Sequence, residues 1–148
     1  SFGLIIVGDG PQRAALEAQV ANLAGRVWMP GNQQDVLPWL HALDVFALPS
    51  YANEGVPQAL VQAMMSGLAC VTTDAGSIGE LALHERTALV VPRQDTAALR
   101  DAIERLAADE DLRKRLGASA RQFCVARYSY GGMLDRMERI YRDACASA

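Results

Sequence analysis

The chain has 148 residues, 51% of them hydrophobic, and a formal net charge of −3; that is enough apolar material for one substantial core, and domains of about 100–150 residues leave no room for a second, so residues 1–148 are expected to form a single domain. No run approaches the roughly 18–20 apolar residues of a membrane-spanning helix, and the opening Ser1-Phe2-Gly3-Leu4-Ile5-Ile6-Val7 lacks the basic flank of a signal peptide. Residues 1–85 set only Arg13 and Arg26 against Asp9, Glu17, Asp35, Asp44, Glu54, Asp74, Glu80 and Glu85, with no Lys or Arg between Trp28 and Glu85, which argues against a nucleic-acid surface there because backbone phosphates need several cations.

The chain begins almost inside an apolar run, without Met, as an excised segment of a longer protein would. Short apolar runs bounded by turn residues recur at 3–7, 27–29, 45–48, 69–72 and 88–91, each followed by a segment of helical periodicity. Residues 11–23 place Ala15, Leu16, Val20 and Leu23 at helical spacing, residues 36–43 place Val36, Leu37, Leu40 and Leu43, and 59–65 are apolar on most faces. This alternation predicts an α/β fold with a Rossmann-like, open parallel sheet of about five strands, helices on both faces, and a ligand crevice at the carboxyl ends of the strands.

Gly8-Asp9-Gly10-Pro11 after the first run invites a dinucleotide reading, but Arg13 stands where that fingerprint wants its third Gly, and Met29-Pro30-Gly31 ends the second run without a ribose-binding acid. The glycines serve at least a tight strand-to-helix turn. His41 and His84 sit apart from other ligand or nucleophile side chains, so they are read as surface or helix-end residues, and no zinc site or hydrolytic triad can be assembled. Cys70, Cys124 and Cys145 are odd in number and widely spaced, which fits a reducing cytosol; Cys70 lies in an apolar run and reads as a core residue.

Residues 48–64, Leu-Pro-Ser-Tyr-Ala-Asn-Glu-Gly-Val-Pro-Gln-Ala-Leu-Val-Gln-Ala-Met, carry the most chemistry. An apolar strand runs into a loop with one carboxylate and then into a helix expected to begin at Pro57, whose missing N–H is no loss in a first turn. The amides of Gln58 and Ala59 would then point from the helix start toward an anion such as a phosphate. Glu54 would repel that phosphate, so its natural partner is a sugar or ribose hydroxyl held by a charge-assisted hydrogen bond. Further on, Asp74 or Ser77 is a candidate cap for the next helix, with Glu80 favourable in its first turn. Asp95 and Asp109 read as N-caps, Gly117 as a stop or kink, and Met133, Leu134, Met137, Ile140 and Tyr141 fall on one helical stripe. The basic residues of the second half alternate with acids, as solvated helix faces do, and 144–148 is a short Ala-rich end expected to fray.

Taken together, Gly8-Asp9-Gly10-Pro11, Gly31, Asp44-Val45-Phe46-Ala47-Leu48-Pro49-Ser50, Glu54-Gly55-Val56-Pro57, Gln62-Ala63-Met64 before Gly67, Val71-Thr72-Thr73-Asp74-Ala75-Gly76, Glu80 and Val90-Val91-Pro92 resemble the C-terminal, donor-binding half of the GT-B glycosyltransferases of group 1, also called family 4, over essentially the whole chain. The resemblance implies a retaining, metal-independent hexosyl transfer from a nucleoside diphosphate sugar, UDP- or GDP-linked, to a glycan or lipid-linked acceptor, with no other cofactor. It implies that Glu54 orients the sugar as the catalytic residue, that the backbone of Gly55, Val56, Pro57, Gln58 and Ala59 holds the diphosphate, with Gly55 allowing close approach, and that Gln62 meets the ribose. Gly8, Gly10, Met29 and Pro30 would line the nucleotide crevice near the base.

The family usually has Glu at the position of Gln62 and a second Gly at Ser77; a neutral amide loses the charge assistance at the ribose, worth about 1 kcal/mol. The Arg and Lys that stabilise the leaving group in the family, and the acceptor-binding N-terminal domain against which its terminal helix packs, would lie upstream of Ser1, so the chain alone is expected to show no turnover. The longer protein is expected in the cytoplasm, at most peripheral at the inner face of the membrane. The alternative is a non-catalytic α/β binding module whose sugar-nucleotide site has decayed.

Overall fold

The computed structural model describes residues 2–23, 25–52 and 54–146. The chain forms two compact units, Ser1–Trp39 and Leu40–Ala148.

In the first unit, β1 (Leu4–Val7) pairs in parallel with β2 (Val27–Gly31), Leu4 opposite Val27, with a register shift before Val7 meets Gly31. Between them runs α1 (Arg13–Val20), continued by a 3-10 turn at Ala21–Leu23. The helical stripe expected over 11–23 is only half-buried, at Leu16 and Val20, and α1 has no fully buried residue. Asp35 accepts a hydrogen bond from Leu37 N at 3.0 Å and so sets the start of the short α2 (Leu37–His41).

The second unit holds β3 (Val45–Leu48), β4 (Ala69–Thr73) and β5 (Leu89–Val91), all parallel, in the order β3-β4-β5. Strands thus alternate with helices as expected, five parallel strands in all among the described residues, two paired in the first unit and three in the second. Every residue of β4 is buried, the mark of a strand covered on both faces. One face packs Ala69 and Val71 with Leu89 and Val91 against Ala102 and Leu106 of α4 (Thr96–Ala108) and Leu112 and Leu116 of α5 (Glu110–Tyr128). On the alternate strand positions lies Cys70, while α3 (Gln58–Met65) buries Leu60, Val61, Ala63 and Met64 and packs against β4 and α5. Asp95 and Asp109 cap α4 and α5 as their sequence context predicts, accepting from Ala98 N at 2.9 Å and Leu112 N at 2.8 Å.

One expectation needs correction. Gly117 neither stops nor kinks α5; the helix runs through it because a glycine there lets the Gly67 carbonyl approach the helix backbone. The stripe of α6 (Tyr130–Ala146) is amphipathic, yet no residue of α6 is buried, and Tyr130, Met133, Leu134, Met137, Ile140 and Tyr141 are exposed. The fraying expected at 144–148 falls partly on 147–148, outside the described residues; Ala144–Ala146 closes α6.

Cys70 and Cys124 are buried and Cys145 is exposed. Burial pushes the Cys70 thiol far up and that of Cys124 up to about 11, so near pH 8 only about one Cys124 in a thousand is a thiolate. An aromatic disulfide reagent should therefore titrate one thiol quickly in the native chain and three after denaturation. Rapid native reaction of two or more would show that the packing around α3 and α5 is looser than described.

Candidate functional site

The segment between β3 and α3 is fixed from below by β4. Thr72 Oγ1 donates to the Leu48 carbonyl at 2.9 Å and Thr73 Oγ1 to the Ser50 carbonyl. Both threonines are buried, so each hydroxyl must find a partner, and the carbonyls of Leu48 at the end of β3 and of Ser50 just beyond it supply it. Ser50 Oγ in turn donates to Glu54 Oε1 at 2.8 Å, while the second carboxylate oxygen of Glu54 has no partner among the described residues. The Glu54 carbonyl accepts from Ser77 N at 3.0 Å. That apposition requires Gly76: its φ is +56°, and a Cβ there would stand 2.6 Å from Glu54 N and closer still to the Glu54 carbonyl oxygen. Glu54 is half-buried. Its carboxylate is thereby held at one oxygen and open at the other, which suits a group that accepts from a hydroxyl.

Helix α3 opens one residue later than expected. Pro57 is the N-cap, with φ −69° and an extended ψ of 117°, rather than the first helical residue, and its carbonyl receives the first helical bond from Val61 N at 3.1 Å. No side chain caps this end. The first-turn amides of Gln58, Ala59 and Leu60 therefore lack the partner that a Ser, Thr or Asp would provide. Leu60 is buried by its side chain, but Gln58 and Ala59 are exposed, so the helix start is open. Gln62, one turn further, is exposed, and its amide has no partner among the described residues.

At Gly55 no described atom lies within 4 Å of where a Cβ would stand. The fold of the second unit thus imposes no glycine there. Gln58 and Val61 also form one wall of a groove of about 440 Å³ whose other side carries Arg127 and Arg136.

The turn after β4 differs from the sequence reading. Residues Gly76–Glu80 form a 3-10 turn with Ala75 at its cap and no side-chain cap bond, so neither Asp74 nor Ser77 caps it. Asp74 instead pairs with Arg93 at 3.0 Å, and Glu80 lies exposed at the end of the turn, not in a first helical turn. His84 does more than sit on the surface, since its Nδ1 accepts from Val90 N at 3.0 Å.

In the first unit the predicted residues gather around Arg13. Gly8 N donates to the Gly31 carbonyl at 2.9 Å, and Arg13, the residue that breaks the dinucleotide fingerprint, donates to the Met29 carbonyl at 2.9 Å and pairs with Glu17 at 2.8 Å. Gly8, Gly10, Met29 and Pro30 are therefore neighbours across the β1–β2 ends. The Met29 carbonyl accepts from Arg13 and the Pro30 carbonyl from Gln33 Nε2 at 3.1 Å.

Ser50, Thr73 and Gly76 stand inside the motif stretches, but the sequence alone gives none of them the role it has here. Their signal was present in part: Ser50 lies four residues before Glu54 in a loop, and Thr73 ends an apolar run with a hydroxyl that burial would oblige to bond.

A family model described as Glycosyl transferases group 1 matches residues 1–109. The chain is 31% identical over 142 residues to N-acetyl-alpha-D-glucosaminyl L-malate synthase of Bacillus anthracis, covering 95% of the chain and 37% of that protein. Among solved structures it is similar to sucrose-phosphate synthase from Thermosynechococcus elongatus, at 29% identity and a TM-score of 0.85, over 97% of the chain and 39% of the other. It also shares its fold with Anabaena HepE, crystallised in complex with UDP, at 21% identity and a TM-score of 0.88, over 96% of the chain and 41% of the other. The chain thus spans about two fifths of the length of these relatives.

Proposed function

Because the chain belongs to the group 1 glycosyl transferases, as a C-terminal domain of their GT-B fold, we propose that it binds the nucleoside diphosphate sugar from which a retaining enzyme moves a hexose to an acceptor hydroxyl. The observation that carries this reading is the pairing of an uncapped, exposed α3 start with a carboxylate that is tethered at one oxygen and open at the other. The diphosphate lies against the amides of Gln58 and Ala59, where the helix dipole favours negative charge. Gly55 leaves the space in which a phosphate can approach the backbone. Glu54 accepts hydrogen bonds from hexose hydroxyls and so orients the anomeric carbon. The bond from that carbon to the diphosphate breaks, the bond to the acceptor oxygen forms, and the acceptor's proton leaves with the diphosphate.

Gln62 sits one turn along α3 from Gln58 and takes the ribose. Further cations, and the main part of the acceptor site, come from a preceding domain of the longer protein. Arg127 and Arg136, which share a groove with Gln58, add positive charge beside the helix start.

The substitution Gln62→Glu tests the ribose assignment by calorimetry with UDP and GDP. Restoring a charged acceptor is expected to tighten binding roughly fivefold, the equivalent of about 1 kcal/mol. An unchanged or weaker constant removes Gln62 from the site. The second reading, a non-catalytic module, draws its support from the neutral side chain at Gln62; binding of neither nucleotide at several millimolar, by the chain or by Gln62→Glu, would favour it.

A further inference from the structure

The second unit carries, at the carboxyl ends of β3, β4 and β5, a cavity of about 240 Å³ between the loop that follows β3 and the start of α4. Pro49, Val91 and Leu99 give it apolar walls, and the ring of Tyr51, 69% exposed, stands at its edge. Thr73 belongs to the same lining while its hydroxyl holds the Ser50 carbonyl, so the cavity and the Glu54 loop share a wall. Its polar edge is Gln94, Asp95 and Thr96.

These groups select a ligand class. Asp95 spends one oxygen on Ala98 N at 2.9 Å and keeps the other, and the side chains of Gln94 and Thr96 have no hydrogen-bond partner among the described residues. Arg93, the cation of this segment, is turned to Asp74 at 3.0 Å. A lining with a carboxylate and no free cation disfavours a phosphate. The volume lies below the roughly 300 Å³ at which pockets for drug-sized molecules begin, so a nucleotide is excluded as well. The lining fits a neutral, hydroxyl-rich pyranose ring, with its C–H face against the Tyr51 ring and its hydroxyls against Gln94, Asp95 and Thr96. Gln94 is one of two non-glycine residues described with positive φ, at +61°, a conformation that costs free energy and concentrates at ligand-holding turns.

We infer that this cavity is a saccharide subsite, distinct from the α3 opening, that holds a glycosyl unit of the acceptor. The acceptor part of the statement rests on the transferase reading above; the saccharide part does not.

Amide NMR of the 15N-labelled chain separates the two. Methyl α-D-glucopyranoside or methyl α-D-mannopyranoside, added to tens of millimolar, is expected to shift the amides of Tyr51, Gln94 and Thr96 with a millimolar dissociation constant, with or without UDP. Tyr51→Ala, at an exposed position that folding does not depend on, should weaken this binding at least several-fold and leave the response of Gln58 and Ala59 to UDP unchanged. Shifts from neither glycoside, shifts located elsewhere, or equal binding by Tyr51→Ala would overturn the subsite even if UDP binds. Glycoside shifts at Tyr51 and Gln94 with no response to UDP or GDP would keep the saccharide site and sink the donor reading instead.

Discussion

A Gly76→Ala variant is expected to keep the β3-β4-β5 sheet and lose at least about tenfold in nucleoside diphosphate affinity. Two independent penalties meet at this residue. Its φ of +56° costs an L-residue about 1–2 kcal/mol. The added Cβ would also lie inside contact distance of the Glu54 backbone, 2.6 Å from N and 2.9 Å from the carbonyl carbon, where no flexible side chain can yield. The loop must retreat, the bond from Ser77 N to the Glu54 carbonyl breaks, and the carboxylate held by Ser50 moves with it. A displacement of about 1 Å at a reacting centre costs on the order of a hundredfold in rate, so turnover of the longer enzyme should fall at least that far. Gly79→Ala is the matched control, because a Cβ at Gly79 meets nothing within 4 Å. Equal nucleotide binding by the two variants would show that the Glu54 loop does not depend on Gly76.

Gly117→Ala is expected to destabilise the second unit although the substitution favours a helix. Inside an exposed helix, alanine in place of glycine gains about 1 kcal/mol. Gly117 is buried in α5, however, and its Cβ would collide with the Gly67 carbonyl oxygen and stand 2.9 Å from the Gly67 carbonyl carbon. Overpacking against backbone costs about 1–3 kcal/mol and sometimes more. The clash outweighs the propensity gain, with a net loss of about 2 kcal/mol and a midpoint lowered by roughly 5–10 °C in thermal unfolding followed by circular dichroism. Gly131→Ala in α6 has open space at its Cβ and should show the propensity gain alone. A Gly117→Ala midpoint at or above that of the unsubstituted chain would contradict the close packing of α5 on the turn that ends α3.

What could be read from the residues follows from the range of the forces involved. The strand β3, the caps Asp95 and Asp109 and the buried Cys70 are set by neighbours within a few positions, and they stand where the pattern puts them. Pro57 was less legible, because its fixed φ suits a cap as well as a first helical residue, and only ψ separates the two. Gly117 and Gly76 are hard to read for a different reason. Their requirement comes from backbone 50 and 22 residues away, at Gly67 and Glu54, and local glycine rules say nothing about that. The helix start expected around Asp74 and Glu80 is replaced by the 3-10 turn at Gly76–Glu80. The stripe on α6 was correctly periodic, but periodicity reports an apolar face and not whether this chain covers it.

Ser50 shows the same limit at the site itself. Glu54 stands out as a lone carboxylate in a loop, and the hydroxyl that fixes it lies four residues back in that loop, yet the bond that fixes Ser50 itself comes from Thr73 of β4. The carboxylate was visible in the sequence; its orientation was not.

The central claim is that a diphosphate rests on the open start of α3 beside Glu54. Adding UDP or GDP to the 15N-labelled chain tests it most directly. The amides of Gly55, Gln58 and Ala59 are expected to shift together, saturating in the micromolar to low millimolar range, with the Gly76→Ala variant responding only at far higher concentration. Saturable binding that leaves those three amides unmoved would contradict the account.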